Sequence, residues 1–364
     1  MMNCKFEILN SKQILNSKSK IRNCLEHLNL DNSKLFRISI LGFSIWLVLM
    51  SAVFAQGQAG TDIAVLKAGV GARPLGMGGA FTAVADNADA PYWNPAGLAL
   101  VSSSEITTMQ TKLSTDADHY YVSFVRPALG GTLGVSWIQV GLGNITQTSN
   151  EVDVHNEVQN ISIFSYFSNA YLLSYGKKLN EHILIGLTGK YLTSDMFGIS
   201  GGQAWGYSVT PGVLFKINVG TGLVPVRTER TTTRVVPTFT VGLKIDELFN
   251  RQSWGTGTVE NVPPKLRLGL AYHSPNPGLF AVDISQTIKS NYAAEVSAGY
   301  EWAKDGLALR LGYTDGGFTA GAGFAVNHAR HEPERFMARV DYAYVTQRAL
   351  SKENVHRVSL SGVW

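Results

Sequence analysis

Beyond residue 55 the chain holds seven histidines, and only His328 and His331, with Glu332 and Glu334, gather ligand-type side chains. Their three-residue spacing lacks a helix to put both imidazoles on one face and a partner to orient them, so the group reads as a surface turn. Cys4 and Cys24 are the only cysteines, so no thiolate nucleophile or zinc–thiolate site is expected further on. No GxSxG, HExxH or Walker loop occurs. The run GVGARPLG has glycines but no strand-to-helix setting and no Lys-Ser/Thr. No Ser and His on one expected strand face make an arrangement fit for nucleophilic catalysis. The expectation is a protein that is not an enzyme, with no cofactor and no metal.

The charges that remain fall at alternate positions: Lys265, Arg267, Glu295, Glu301, Arg310 and Arg339, with Lys190, Lys244 and Asp341. Two chemistries suit them. They form either a mixed-sign, ion-paired wall around a wet lumen, or, through Lys265, Arg267 and Arg310, a seat for an anionic headgroup such as a carboxylate.

The elements that must position these charges are strands, because the hydrophobic period is two. In Lys265 to Tyr272, Leu266, Leu268, Leu270 and Tyr272 share one face, opposite Lys265, Arg267, Gly269 and Ala271. Ala293–Trp302, Leu307–Tyr313, 239–245 and 336–344 repeat the pattern. Tyr272, Tyr300, Trp302, Tyr313 and Tyr344 close strand ends, as in an interfacial aromatic girdle. Fourteen segments follow: 105–111, 119–126, 131–140, 165–176, 182–193, 204–216, 238–245, 265–273, 279–288, 293–302, 307–314, 318–326, 335–345 and 356–364. Their even number and length predict an all-β fold, a transmembrane antiparallel barrel of about 14 strands. Short connections after even strands read as periplasmic turns. Gly141–Phe164, Ser194–Gln203 and Asp246–Pro264 read as outer loops, and the long 217–237 segment breaks the rule. The last strand ends on Trp364, which resembles the terminal aromatic signal read by the barrel assembly machinery.

Only 16% of residues are charged, well below the roughly 25% of soluble domains. The long apolar run is Ile38–Phe54, behind Lys34 and Arg37 and followed by Ala55, the shape of a signal peptide. Residues 1–55 are therefore expected to be a removed leader. Without them 24 basic and 24 acidic residues remain, and the basic balance gives no reason to expect nucleic acid.

Between leader and barrel, residues 56–103 read as a compact plug, and 104–364 as the barrel. The stretch AGVGARPLGMGGAFTAVADNADAPYWNPAGLALV is rich in glycine; Ala80–Ala85 suits a short helix, and Asn94-Pro95 suits an N-cap and N1 pair, with Gly97 limiting that helix to about one turn. It resembles the N-terminal signature of the PorV/PorQ family of outer-membrane proteins, a branch of the wider FadL-like group of long-chain fatty-acid transporters. The resemblance implies a hatch inside the lumen, carried by Gly71, Arg73, Gly76, Met77, Gly78, Gly79, Asp86, Asn94, Pro95, Ala96 and Gly97. It implies a place in the outer membrane of a Gram-negative-type bacterium, among outer-membrane lipid. The nearer branch implies a type IX secretion-like component that binds or escorts exported proteins. The wider group implies a channel for uptake of hydrophobic compounds such as fatty acids.

Overall fold

The computed structural model describes residues 64–113, 116–152, 158–218, 238–274, 278–288, 293–314, 317–329, 335–346 and 354–364. The leader, 219–237 of the 217–237 connection, and His331, Glu332 and Glu334 of the cluster with His328 lie outside the described residues. The strands are β1 Glu105–Lys112, β2 Asp118–Ala128, β3 Gly131–Val152, β4 Val158–Lys178, β5 Ile183–Phe197, β6 Gln203–Asn218, β7 Thr238–Asp246, β8 Leu248–Trp254, β9 Val259–Glu260, β10 Lys265–His273, β11 Leu279–Thr287, β12 Glu295–Lys304, β13 Leu307–Thr314, β14 Gly317–Ala329, β15 Arg335–Val345 and β16 Val355–Val363.

Fourteen of them, β1–β7 and β10–β16, form a closed antiparallel barrel, because β5 pairs with β6 and β16 pairs with β1. Closure removes every unpaired edge from the ring. The end of the ring is sealed by Trp364, whose N–H and carbonyl exchange 2.9 Å bonds with Ser104 and whose ring stacks on Phe124 at 6.1 Å.

The period-two faces take the sides that their chemistry demands. Leu266, Leu268 and Leu270 point outward and are 38–53% exposed, while Lys265 and Ala271 point inward and are buried. Outward aromatic residues Phe239, Tyr272, Phe280 and Tyr300 align in register on β7, β10, β11 and β12 near the end of the barrel that carries the short turns. No helix of the described residues is long and apolar enough to cross a membrane, which has no bearing on strands.

Two expected loops are instead sheet. Gly141–Phe164 largely continues β3 and β4 as one long hairpin, with register shifts after Leu142, Gln147 and Thr148. Its residues alternate poorly, so the period-two signal ends near Gly141 although the ladder goes on. Ladder pairing and β-branched residues hold the strands, and the bulges absorb the mismatch. Within Asp246–Pro264, β8 folds back to pair with the start of β6, and β9 pairs with β8.

Residues 64–100 fill the lumen with α1 Ala64–Lys67, α2 Ala72–Gly76, α3 Ala90–Trp93 and a 3₁₀ helix, Pro95–Leu100. Asn94 caps that helix as its sequence suggests, its Oδ1 accepting from Ala96 N at 3.1 Å with Pro95 at N1. Gly97 lies inside the Pro95–Leu100 helix rather than ending it, at a point where a Cβ would collide with the Ala85 carbonyl. Ala80–Ala85 forms a single turn closed by Val84 and Ala85 N–H groups on the Phe81 carbonyl, not a helix. Its backbone donors are claimed by the wall instead.

Candidate functional site

The site is the contact between plug and inner wall, and it begins with the wall glycines. Four glycine pairings stand directly opposite one another on adjacent strands: Gly176–Gly186, Gly186–Gly212, Gly242–Gly269 and Gly299–Gly312. The row Gly176–Gly186–Gly212 receives the Pro95–Leu100 helix and the Asn94 side chain, Gly242–Gly269 the Thr82–Ala83 backbone, and Gly299–Gly312 the Met77–Gly78 backbone. A Cβ on Gly299 would lie 2.5 Å from Met77 O, and one on Gly269 would lie 2.8 Å from Ala83 N. The glycines on the faces opposite the leucines form a dry socket at this level. Small residues open the wall just where chain must approach chain.

The wall also offers polar groups to the plug's unpaired backbone. Asp283 Oδ2 accepts from Phe81 N at 3.0 Å and Thr82 N at 2.8 Å. Ser359 Oγ takes Ala72 N at 2.8 Å, while Ser123 Oγ donates to Ala88 O at 2.7 Å and Thr319 Oγ1 to Gly76 O at 3.1 Å. Buried backbone groups without partners are costly, so these bonds explain how an irregular segment sits in a lumen. Sequence reading did not single out Asp283. The one signal for it was an acid on the inward face of β11 among Ala281, Ser285 and Thr287.

A continuous ion-pair chain then ties plug to wall. Arg73 binds Asp86 within the plug and reaches Glu301 on β12 with both Nε and Nη2 at 2.9 Å. Glu301 also binds Arg310 Nε at 2.6 Å, Arg310 binds Asp341 at 2.8 Å, Asp341 binds Arg339 at 2.7 Å, and Arg339 approaches Glu105 at 3.7 Å. A cavity of about 510 Å³ opens beside this chain at the short-turn end, lined by Asp86, Glu105, Glu301, Arg310 and Arg339 among others.

A second cluster lies nearer the loop end. Asp246 bridges Lys244 at 2.9 Å and Arg267 at 2.8 Å, Lys190 pairs with Glu247, and Lys265 meets Glu295 at 3.3 Å. Lys244 also donates to Tyr92 O at 2.6 Å and lies 5.4 Å from that ring's centre. Lys265, Arg267 and Arg310 thus each hold a carboxylate of the chain, and they are not left facing an anionic guest. Within the plug, burial pushes the Asp89 carboxyl up to about 6, against the pull of the Asn87 amide and of Arg339.

The remaining wall is apolar. Met109, Tyr121, Ile138, Ala170 and Leu192 form one horizontal row, each the direct register partner of the next across β1 to β5. All are at most 2% exposed, and they belong to one apolar cluster with Val65, Leu66, Val70 and Trp93 of the plug. Sequence reading found charged or small residues on the faces opposite the leucines, as at Lys265, Arg267, Gly269 and Ala271. It missed this row because β1, β3 and β4 carry apolar residues on both faces there, which hides the alternation. Among the described residues no group of His, Cys, Asp and Glu is placed to hold a metal.

No family model and no curated protein matches the chain. Among solved structures, the barrel is similar to a deltaS2 mutant of the TodX monoaromatic hydrocarbon channel (TM-score 0.48, 12% identity, 83% of this chain and 98% of that one). It is similar to the Ralstonia pickettii toluene transporter TbuX (TM-score 0.48, 12% identity, 81% and 97%). A Pseudomonas aeruginosa FadL homologue is a further neighbour (TM-score 0.44, 11% identity, 81% and 98%).

Proposed function

We propose that this protein is a plugged outer-membrane barrel that passes small hydrophobic compounds. The observation that carries the reading is the apolar row on β1–β5, which lines the lumen and is covered by plug residues rather than by wall. A conduit for polar solutes has no use for five adjacent strands of buried apolar surface, whereas an apolar guest is favoured there by roughly 25 cal/mol per Å² removed from water. The outward leucine faces and the aromatic row suit a bilayer. The short turns then face the periplasm, and the β3–β4 hairpin faces outward from the cell. TodX and TbuX are a monoaromatic hydrocarbon channel and a toluene transporter, but the proposal rests on this chain's own lumen.

In this reading the ion-pair chain and the glycine socket hold the plug shut, and movement of plug against wall admits the guest. The experiment is a disulfide lock. Ala72→Cys with Ser359→Cys places one thiol on each side of that boundary, where Ser359 Oγ already lies 2.8 Å from Ala72 N, in a chain with no other cysteine after residue 24. Cells carrying the oxidised double variant are expected to lose uptake of radiolabelled decanol and to regain it on reduction. Uptake unaffected by the lock would reject the plug as the gate. Absence of decanol uptake by the unlocked chain, with exported proteins co-purifying in mild detergent, would instead favour the escort role that the family resemblance implies.

A further inference from the structure

The long ion-pair chain has a carboxylate at each end. It runs Asp86, Arg73, Glu301, Arg310, Asp341, Arg339, Glu105, so among the described residues four carboxylates in it meet three guanidiniums. The links from Arg73 through to Arg339 are 2.6–2.9 Å, but the last, from Arg339 to Glu105, is 3.7 Å. Glu105 is 6% exposed, and its Oε1 takes part in no hydrogen bond. Both end residues line the cavity of about 510 Å³ at the short-turn end. Two other cations near the chain leave the imbalance as it is. Lys304 is exposed in the β12–β13 turn beside the equally exposed Asp305. Arg357 of β16 is buried, but it donates to Gly69 O and lies roughly 20 Å along the strand from Val363, the register partner of Glu105. A buried carboxylate with a weak counter-charge is costly, and a cation that joins it is favoured.

We infer that this cavity binds an aliphatic primary ammonium through Glu105, supplying the fourth positive charge that the chain lacks. The head is compact and carries three donors, so it can join a carboxylate that Arg339 already flanks. Leu100, Val101, Met337 and Val363 line the same cavity and give an aliphatic stem an apolar surface. A metal ion suits the cavity poorly, since no group of His, Cys, Asp and Glu among the described residues is placed to hold one. The chain that ends at Glu105 also holds Arg73 of the plug, so the bound ammonium strengthens the grip of wall on plug by linkage. The plug is thereby controlled from the short-turn end, whatever compound the barrel passes.

The test is calorimetric titration of butylamine and of butanol, its uncharged counterpart, into the full barrel in nanodiscs, for the wild type and Glu105→Gln. Heat-modifiable migration on gels confirms that the variant is folded. The wild type is expected to take one butylamine per barrel and to hold it about tenfold or more tightly than butanol. Glu105→Gln is expected to bring the two compounds level. A second measurement needs no variant: butylamine, and not butanol, should slow hydrogen exchange of residues 72–86 in the wild type. The peptide Gly-Lys-Gly binding more tightly than butylamine would assign the ammonium to a lysine of a protein segment, and weaker binding would assign it to a free amine. Equal binding of butanol and butylamine by the wild type, or butylamine binding unchanged in Glu105→Gln, would overturn the inference. No saturable butylamine binding by the wild type would overturn it as well, and would leave a proton as the charge that Glu105 takes up.

Discussion

At the residue scale the molecule is governed by how buried charges are matched. Glu301 is the hinge-pin of the long ion-pair chain, because it alone contacts Arg73 of the plug and Arg310 of the wall. Glu301→Gln leaves both guanidiniums short of a counter-charge in a buried setting, where removing one partner typically costs about 3–5 kcal/mol. Hydrogen exchange of residues 72–86 is expected to accelerate markedly in this variant while that of the wall strands holds; equal acceleration in both would place the effect in the barrel. Asp89 makes a pH prediction. Its folded value of about 6 lies above that of an unfolded aspartate, so the native plug binds the proton more tightly. The stabilisation is full below the unfolded value and is lost as pH rises through about 6, by at most about 3 kcal/mol. Plug unfolding in urea, compared between the wild type and Asp89→Asn, should show a difference that grows from pH 4 to pH 7. A flat difference would show that the carboxyl carries no such burden.

At the element scale the glycine pairs decide how plug and wall strands fit. Gly299 and Gly312 belong to ordinary amphipathic strands whose outward faces are unremarkable, yet both must lack a side chain for Met77–Gly78 to lie against them. Gly299→Ala introduces a Cβ against backbone that has no freedom to retreat, an overpacking of the kind that costs about 1–3 kcal/mol. The expected outcome is a folded, heat-modifiable barrel whose plug is released at lower urea. An unchanged plug midpoint would mean the socket is looser than the contacts indicate. The same pairs were visible in sequence as glycines on the polar faces of β7, β10, β12 and β13. What they faced was not visible, because a glycine beside water and a glycine beside a packed carbonyl look alike in a string of letters.

At the scale of the whole molecule the barrel closes through its own ladders, every strand pairing two neighbours without help from the plug. The plug, in contrast, has short helices of four to six residues and takes its order from the wall. Deleting residues 64–100 should therefore leave a barrel that still folds and migrates as a heat-modifiable band, and should raise its single-channel conductance in planar bilayers. A deletion that cannot fold would show the wall depends on the plug. The outward face makes a matching prediction: Leu268→Arg, near the middle of β10, should weaken insertion into vesicles by about 2–4 kcal/mol, measured by folding yield against urea.

The sequence by itself determined the wall. Side-chain alternation is a local property, and a strand that faces lipid or apolar packing on one side and polar plug on the other must repeat every two residues. The strands of 265–273, 307–314 and 335–345 can therefore be read to the residue, and the even count follows from them. It also determined the cap at Asn94–Pro95, since both residues act on their own backbone. Only the tertiary structure decided what the lumen holds. Arg73 finds Glu301, Asp283 receives the amides of Phe81 and Thr82, and Arg357 goes without a carboxylate, because each outcome depends on which distant residues share a height on the barrel. That height is set by register and closure across fourteen strands, and no short stretch of sequence contains it.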